Sequence, residues 1–341
     1  MIEILNSSSQ KWNEYINKLP LSFRDIYFKS DYYKLYENGK DKVAKLFVYE
    51  EKDNLAIYPF IMSKIKGYNL KNEYYDIETA YGYGGPLANT NDLVFLSEFE
   101  DIFRDFCKKN NIIAEFIRFH PLLNNHTIFI SDIKTCHNRT TTYIDLNKSL
   151  DDIWNQDIIS KNRNVIRKAK KSGLITEISF DLNEFKKIYI KTMDRLNAGK
   201  NYYFDDKYFD NLNKLEHVCI SVKLDDITVA SAIFLQGDEI FHYHLAGSLK
   251  EYLKYCPNNL LLWTAIEYAK NSGFSKFHFG GGLTDSQGDS LYKFKKSFCK
   301  DISDFYIGKR IYNKEVYDYL IKKWEVTKEK NAELFLQYKE E

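Results

Sequence analysis

The feature that most constrains this chain is an order of elements that occurs twice. Apolar runs at Ala44–Tyr49 and Leu55–Ile61 face each other across the polar turn Glu50–Asn54 and read as a hairpin. The glycine-rich segment Tyr81-Gly82-Tyr83-Gly84-Gly85-Pro86-Leu87 follows. Then come a helix-period stretch from Leu93 to Asn110 and a strand, Ala114–Phe119, ended by His120-Pro121. The second half repeats the order. Cys219–Val222 and Val229–Leu235 flank Asp225-Asp226, and Gln236-Gly237-Asp238 turns into a strand, Ile240–Ala246. A helix, Asn258–Asn271, leads to a strand, Lys276–Phe279, that ends in Gly280-Gly281-Gly282. Lys109-Asn110 ahead of Phe116 is echoed by Lys270-Asn271 ahead of Phe277 in the same register. Strands alternating with amphipathic helices predict an α/β (α+β) chain of two domains, each a mixed sheet flanked by helices.

A length of 341 residues, 44% of them hydrophobic, is enough for two cores. The β-branched run Thr140–Leu146, followed by the capping sequence Ser149-Leu150-Asp151-Asp152, puts the boundary near residue 147. The tail from Lys314 to Glu341 contains no Gly or Pro and reads as one charged amphipathic helix. Five cysteines, spaced singly and without a CxxC, argue against a disulfide framework and a zinc site. The N-terminus carries no signal-peptide pattern, and no window approaches the roughly 18 apolar residues of a membrane span. A soluble, cytoplasmic monomer is expected.

Net charge is +1, so nonspecific binding to nucleic acid has no global surplus to draw on, and any phosphate contact must come from a local patch. The basic helix 161–171 is one such patch. Arg163, Arg167 and Lys170 share a face, while Val165, Ile166 and Ala169 can pack inward. The segment Arg195–Phe204 reads as a loop between helices, and Arg195 can hold a phosphate or carboxylate with two parallel bonds. His242 and His244 alternate onto one strand face without a third ligand nearby, which fits polar site histidines better than a metal. Gly280, Gly281 and Gly282 directly after a strand can offer N–H groups to an anion or oxyanion. The lysines of Tyr292-Lys293-Phe294-Lys295-Lys296 sit on an aromatic scaffold on what reads as an exposed helix face, where they can favour a developing negative charge. There is no GxSxG elbow, HExxH or paired-carboxylate pattern. Covalent nucleophilic catalysis thus has no candidate, whereas transfer to an amine needs orientation, a proton acceptor and oxyanion support.

The set KNRNVIRKAKKSGL, MDRLNAGKNYYF, FHYHLAGS, PNNLLLWTAIEYAKNSGFSKFHFGGG and DSLYKFKKSF resembles the FemX/FemAB aminoacyltransferases and their acetyltransferase-like relatives, mainly over residues 140–312. The first half is similar in layout and in YGYGGPL. The resemblance implies two GNAT-like domains, 1–146 and 147–312, with the C-terminal helix 313–341 returning to the first. It implies transfer of an aminoacyl group from aminoacyl-tRNA to an amine of a cell-wall precursor, with no cofactor besides the acyl donor as co-substrate. By that resemblance Phe294 and Lys295 handle the donor and the tetrahedral intermediate. Arg195 grips the diphosphate of a UDP-linked sugar or sugar-peptide acceptor, and Tyr203, His244 and Tyr83 line the acceptor site. Arg163, Arg167 and Lys170 with the three glycines serve the donor. The same superfamily contains acyl-CoA-dependent N-acyltransferases acting on nucleotide-linked amino sugars, which leaves acyl-CoA as the alternative donor. The Q/RxxGxG/A signature of a CoA pyrophosphate site is not found before the second-half helix. Residues 173–214 are too short for the coiled-coil arm of FemA and FemB.

Overall fold

The protein is described here from a computed structural model covering residues 1–129, 131, 133–199, 202–327 and 335–339. Its strands are β1 (Ile2–Asn6), β2 (Lys42–Glu51), β3 (Asn54–Lys64), β4 (Tyr75–Glu78), β5 (Leu87–Ala88), β6 (Ile112–Arg118), β7 (Lys134–Asp145), β8 (Ile175–Ser179), β9 (His217–Leu224), β10 (Ile227–Gln236), β11 (Ile240–Ser248), β12 (Lys276–Gly280) and β13 (Asp301–Ile311). Its helices are α1 (Lys11–Lys18), α2 (Ser30–Lys34), α3 (Leu93–Lys109), α4 (Leu150–Asp152), α5 (Ser160–Lys171), α6 (Asn183–Leu196), α7 (Asp206–Leu212), α8 (Pro257–Asn271), α9 (Ser290–Lys296) and α10 (Lys314–Thr327). The chain forms two compact units. The first holds Met1–Phe23, Tyr27–Asn138 and Phe305–Glu341, and the second holds Arg24–Ile26 and Arg139–Asp304.

In the first unit the strands lie in the order β1, β2, β3, β4, β6, β13. All pairs are antiparallel except β4 with β6. Parallel neighbours need a long crossover, and α3 supplies it. The Asp92 carboxylate caps α3 by accepting from Val94 N at 2.9 Å. Phe95, Phe99, Phe103 and Cys107 recur at helical spacing and bury one face of α3 against Phe47, Tyr58 and Phe60 of β2 and β3. The β2–β3 turn is tighter than the sequence expectation. Glu51 pairs with Asn54, and Lys52 takes the left-handed conformation (φ 55°) that a two-residue hairpin loop requires.

The second unit has the same plan, in the order β8, β9, β10, β11, β12, β7. Again all pairs are antiparallel except one, β11 with β12, and α8 makes the crossover. Alternation along β9 and β10 sends Val218, Ile220, Val222, Ala230, Ala232 and Phe234 into a core with α5 and α8. The Asp225-Asp226 turn is read correctly, with Asp225 left-handed at φ 53°. Gly247 lets α6 approach β11, since a Cβ there would stand 2.9 Å from the Ile188 carbonyl oxygen. Ser149 caps α4 by accepting from Asp152 N at 3.1 Å, and a π turn, Ile153–Asp157, follows.

The units part at Arg139 and Phe305, inside β7 and β13, short of the 147 and 313 limits read from the sequence. From Arg139 onward β7 closes the second sheet against β12, and from Phe305 onward β13 closes the first against β6. Helix α10 packs in the first unit, where Leu320 and Trp324 lie buried with Ile113 and Ala114. The tail is not one helix to residue 341. After α10 the described chain resumes at Phe335, whose carbonyl accepts from the Tyr317 hydroxyl at 2.7 Å, so this segment folds back on α10. The rest of that expected helix, residues 328–334 and 340–341, lies outside the described residues. No helix among the described residues is long and apolar enough to cross a membrane.

Candidate active site

The parallel register of β11 and β12 runs through Ile240↔Lys276, Phe241↔Phe277 and His242↔His278, and the paired residues end there. Beyond this point β12 gives way to Gly280–Gly282, and Gly280 has φ 78°. The glycines are required by close approach. A Cβ on Gly281 would stand 2.9 Å from Cδ of Arg139, and one on Gly282 would stand 2.4 Å from Oδ1 of Asp289. The glycine loop, expected from sequence to offer N–H groups, is held through its carbonyls and through the N–H groups just beyond it. Its carbonyls face the neighbouring donors: Thr142 Oγ1 donates to Gly280 O at 3.3 Å, Lys295 Nζ to Gly281 O at 2.7 Å, and Arg139 to Gly282 O at 2.7 Å. The N–H groups of Leu283 and Thr284 are taken by the Asp289 carboxylate at 3.0 and 3.1 Å.

Asp289 also caps α9 by accepting from Tyr292 N at 2.8 Å, which orients the helix that carries Phe294 and Lys295. Lys295 is only 8% exposed, contrary to the open helix face expected for it. Its Nζ lies 5.6 Å over the Tyr243 ring. Burial is the main reason its ammonium is pushed down to about 8, with the Arg139 charge acting the same way and Asp289 opposing. The lysine cluster does not converge. Lys293 is exposed and Lys296 turns to the Lys300 carbonyl. Phe294 packs edge-on against Phe298, with ring centroids 5.5 Å apart. A buried polar link holds α9 in place: Asn162 of α5 donates to Ser297 Oγ at 3.1 Å and accepts from Asn259 of α8 at 2.7 Å.

His242 and His244 do share a face, and a bulge at His244 separates the Phe234↔Tyr243 and Ile233↔Leu245 pairs. Tyr243 packs on the α8 side, so Lys295 and the two histidines lie on opposite faces of β11. His242 Nε2 is 2.7 Å from Asp25 Oδ2, and both side chains are about 1% exposed. His244 Nε2 is 2.9 Å from the Tyr208 hydroxyl, and burial, with His242 beside it, drives its imidazole down to about 3. The ring is therefore neutral at physiological pH. Arg195 is not in a loop. It occupies the last turn of α6 and donates to Ser248 O at 2.7 Å, at the far end of β11. Tyr203 is exposed and donates to Asp194 at 3.0 Å.

Of the basic helix, Arg167 and Lys170 are exposed, as are Lys168 and Lys171. Arg163 instead donates to the carbonyls of Trp154, Asn155 and Ile158, which closes the π turn. Asn162 takes the inward position expected of Val165, which is half-buried. Tyr83 lies in the first unit against Tyr27 and Phe305, at centroid distances of 5.3 and 5.2 Å. Sequence reasoning gave no role to Arg139, Tyr243 and Asp289, although the last two lie inside motifs it singled out, FHYHLAGS and DSLYKFKKSF. Asp25 carries no local signal, being 217 residues from its partner His242.

Residues 160–295 match the family described as an acetyltransferase (GNAT) domain. This match supports a general acyltransferase function. Among solved structures, FemX is similar at TM-score 0.68 and 16% identity, covering 93% of this chain and 99% of that one. A conserved protein of unknown function from Bacteroides thetaiotaomicron gives TM-score 0.55 and 11% identity, with 91% and 100% covered. A tandem GNAT protein from the clavulanic acid biosynthesis pathway gives 0.52 and 9%, with 91% and 98% covered. None of the curated proteins matches at a significant level. At these identities the structural likenesses establish the fold, a tandem of GNAT-like sheet-and-helix modules.

Proposed function

We propose that the chain transfers an aminoacyl group from aminoacyl-tRNA to an amine of a cell-wall precursor, forming an amide, with no resident cofactor. The observation that carries this reading is Lys295: a buried ammonium held by the Gly281 carbonyl and the Tyr243 ring where β12 ends. The acceptor amine attacks the donor's ester carbonyl, a C–N bond forms, and the carbonyl oxygen becomes an oxyanion beside Lys295. The C–O bond to the ribose then breaks, one proton leaving the amine and one arriving on the ribose hydroxyl. A fixed cation at the oxyanion lowers the barrier by about 2.7 kcal/mol or more.

The exposed Arg167, Lys168, Lys170 and Lys171 of α5 offer a local basic face for tRNA phosphates despite a net charge of +1. Arg195 spends one nitrogen on Ser248 O and offers its remaining N–H groups to the diphosphate of a UDP-linked sugar or sugar-peptide, with Tyr203 held nearby on Asp194. A tRNA donor makes the cytoplasm the site of action. An acyl-CoA-dependent N-acyltransferase acting on a nucleotide-linked amino sugar is the second reading, favoured by the acetyltransferase match over 160–295. The deciding experiment incubates the protein with charged tRNA or with acyl-CoA and a pool of UDP-sugars and reads new amides by mass spectrometry. Product from charged tRNA that vanishes in Lys295→Ala supports the proposal. Product from acyl-CoA alone replaces it with the second reading.

A further inference from the structure

The glycine loop is gripped from two sides. From α9 comes the Asp289 carboxylate, which takes the N–H groups of Leu283 and Thr284. From β7 comes Arg139, whose NH1 donates to two successive carbonyls, Gly282 O at 2.7 Å and Leu283 O at 3.0 Å. The stem of the same side chain lies against the Gly281 backbone, with Cδ 2.9 Å from where a Cβ would stand. The carbonyl just before this bridge, Gly281 O, is the one that accepts from Lys295 Nζ.

We propose that Arg139 is a positioning residue for Lys295: its guanidinium fixes the carbonyl loop that holds the ammonium, and its charge sets that ammonium's electrostatic surroundings. This rests on the reading of Lys295 as the oxyanion donor only where turnover is concerned. The link between the two side chains stands on geometry alone. A lysine at 139 would keep the charge but not the planar guanidinium whose NH1 reaches both Gly282 O and Leu283 O while its stem lies against Gly281. The groups facing Lys295 are few. Asp289 favours its charged form, Arg139 disfavours it, the Cys299 thiol is pushed up to about 12 and stays neutral, and burial raises the Tyr243 phenol as well. Loss of the Arg139 charge therefore has a defined direction, toward a higher Lys295 midpoint.

The experiment is an NMR titration of the full chain labelled at the lysine side chains. The Lys295 signal is assigned by its disappearance in Lys295→Arg, and folding is checked by circular dichroism. In Arg139→Gln the Lys295 midpoint rises by about half a unit or more. In Arg139→Lys it stays near that of the unaltered protein. With the acyl donor identified by the mass-spectrometric screen, both variants lose about tenfold or more in kcat while KM for either substrate stays within about twofold, because a displaced catalytic cation costs rate rather than binding. An unchanged midpoint in Arg139→Gln overturns the proposal, as does a defect carried by KM alone. If no donor supports turnover of the unaltered protein, the acyl-transfer reading falls, and the midpoint still decides whether Arg139 governs Lys295.

Discussion

Replacing Lys295 by Met should make the protein more stable at neutral pH and inactive. A buried lysine with its folded value near 8 and an unfolded value near 10.5 binds its proton less tightly in the fold. At pH 7 that difference of about 2.5 units corresponds to about 3 kcal/mol of destabilisation. The sign follows from proton counting. Between pH 8 and 10.5 the unfolded chain holds more protons than the folded one, so stability rises with pH through that window and is lowest below it. Methionine fills a similar volume without charge, and losing the bond to Gly281 O costs about 1 kcal/mol. The variant should therefore be about 2 kcal/mol more stable at pH 7, with its advantage nearly gone by about pH 9.5. Urea unfolding at the two pH values, with equal m-values as the control, measures this. A variant that is less stable at pH 7, or whose advantage does not change with pH, refutes the argument that Lys295 is a charge held against its solvation preference.

Gly282→Ala should cost about 2–4 kcal/mol, since its Cβ overlaps the Asp289 carboxylate that caps α9. Gly273→Ala, at positive φ but in open space, should cost only about 1 kcal/mol by urea unfolding, and a loss equal to that of Gly282→Ala would contradict the steric account. Arg310→Ala should destabilise the first unit by about 3–5 kcal/mol, because Arg310 ion-pairs with Glu100 and lies near Glu115, all three being buried. Burial already raises Glu115, and losing the cation raises it further; since a carboxyl with a raised folded value costs stability above that value, the deficit should shrink as pH falls from 7.5 to 5.5, and melts showing the same deficit at both would count against this.

The hairpins and crossover helices were legible because their periodicity is local. Phe95, Phe99 and Phe103 mark one helix face, and Asp225-Asp226 marks a turn, without reference to the rest of the chain. The closing strands were not. β13 pairs with β6 from nearly two hundred residues away, and β7 precedes the sheet it completes, so neither partner shows in a sequence window. The same holds for the site. Phe294 and Lys295 stood out by their motif, but Lys293-Phe294-Lys295-Lys296 reads equally as a solvated face, and for Lys293 it is one. Which lysine turns inward depends on the rotation of a seven-residue helix, fixed by Asp289 at its start and by the Asn162–Ser297 bond near its end. Arg195 heads a segment that reads as a loop, yet the helix runs one residue past it and ends at Asn197 in the left-handed conformation.

The two units share one strand order but differ in the chemistry at their parallel pairs, and that difference favours the second unit as the seat of reaction. In the first unit, β4 carries Asp76 and Glu78, and both receive Lys339 Nζ at 2.8 Å, while Arg118 approaches Glu78 at 3.3 Å. These charges are matched by opposite charges from the chain itself, and Lys339 and Arg118 hold Glu78 well below the usual carboxylate range against the opposing effect of burial. A cation so neutralised has little further stabilisation to gain from an oxyanion. In the second unit, Lys295 rests on a carbonyl and a ring face rather than in an ion pair, and burial makes its charge costly in the resting state despite the opposing pull of Asp289. A negative charge arising beside it removes the cost in the transition state alone, which is the condition for lowering a barrier rather than merely tightening binding.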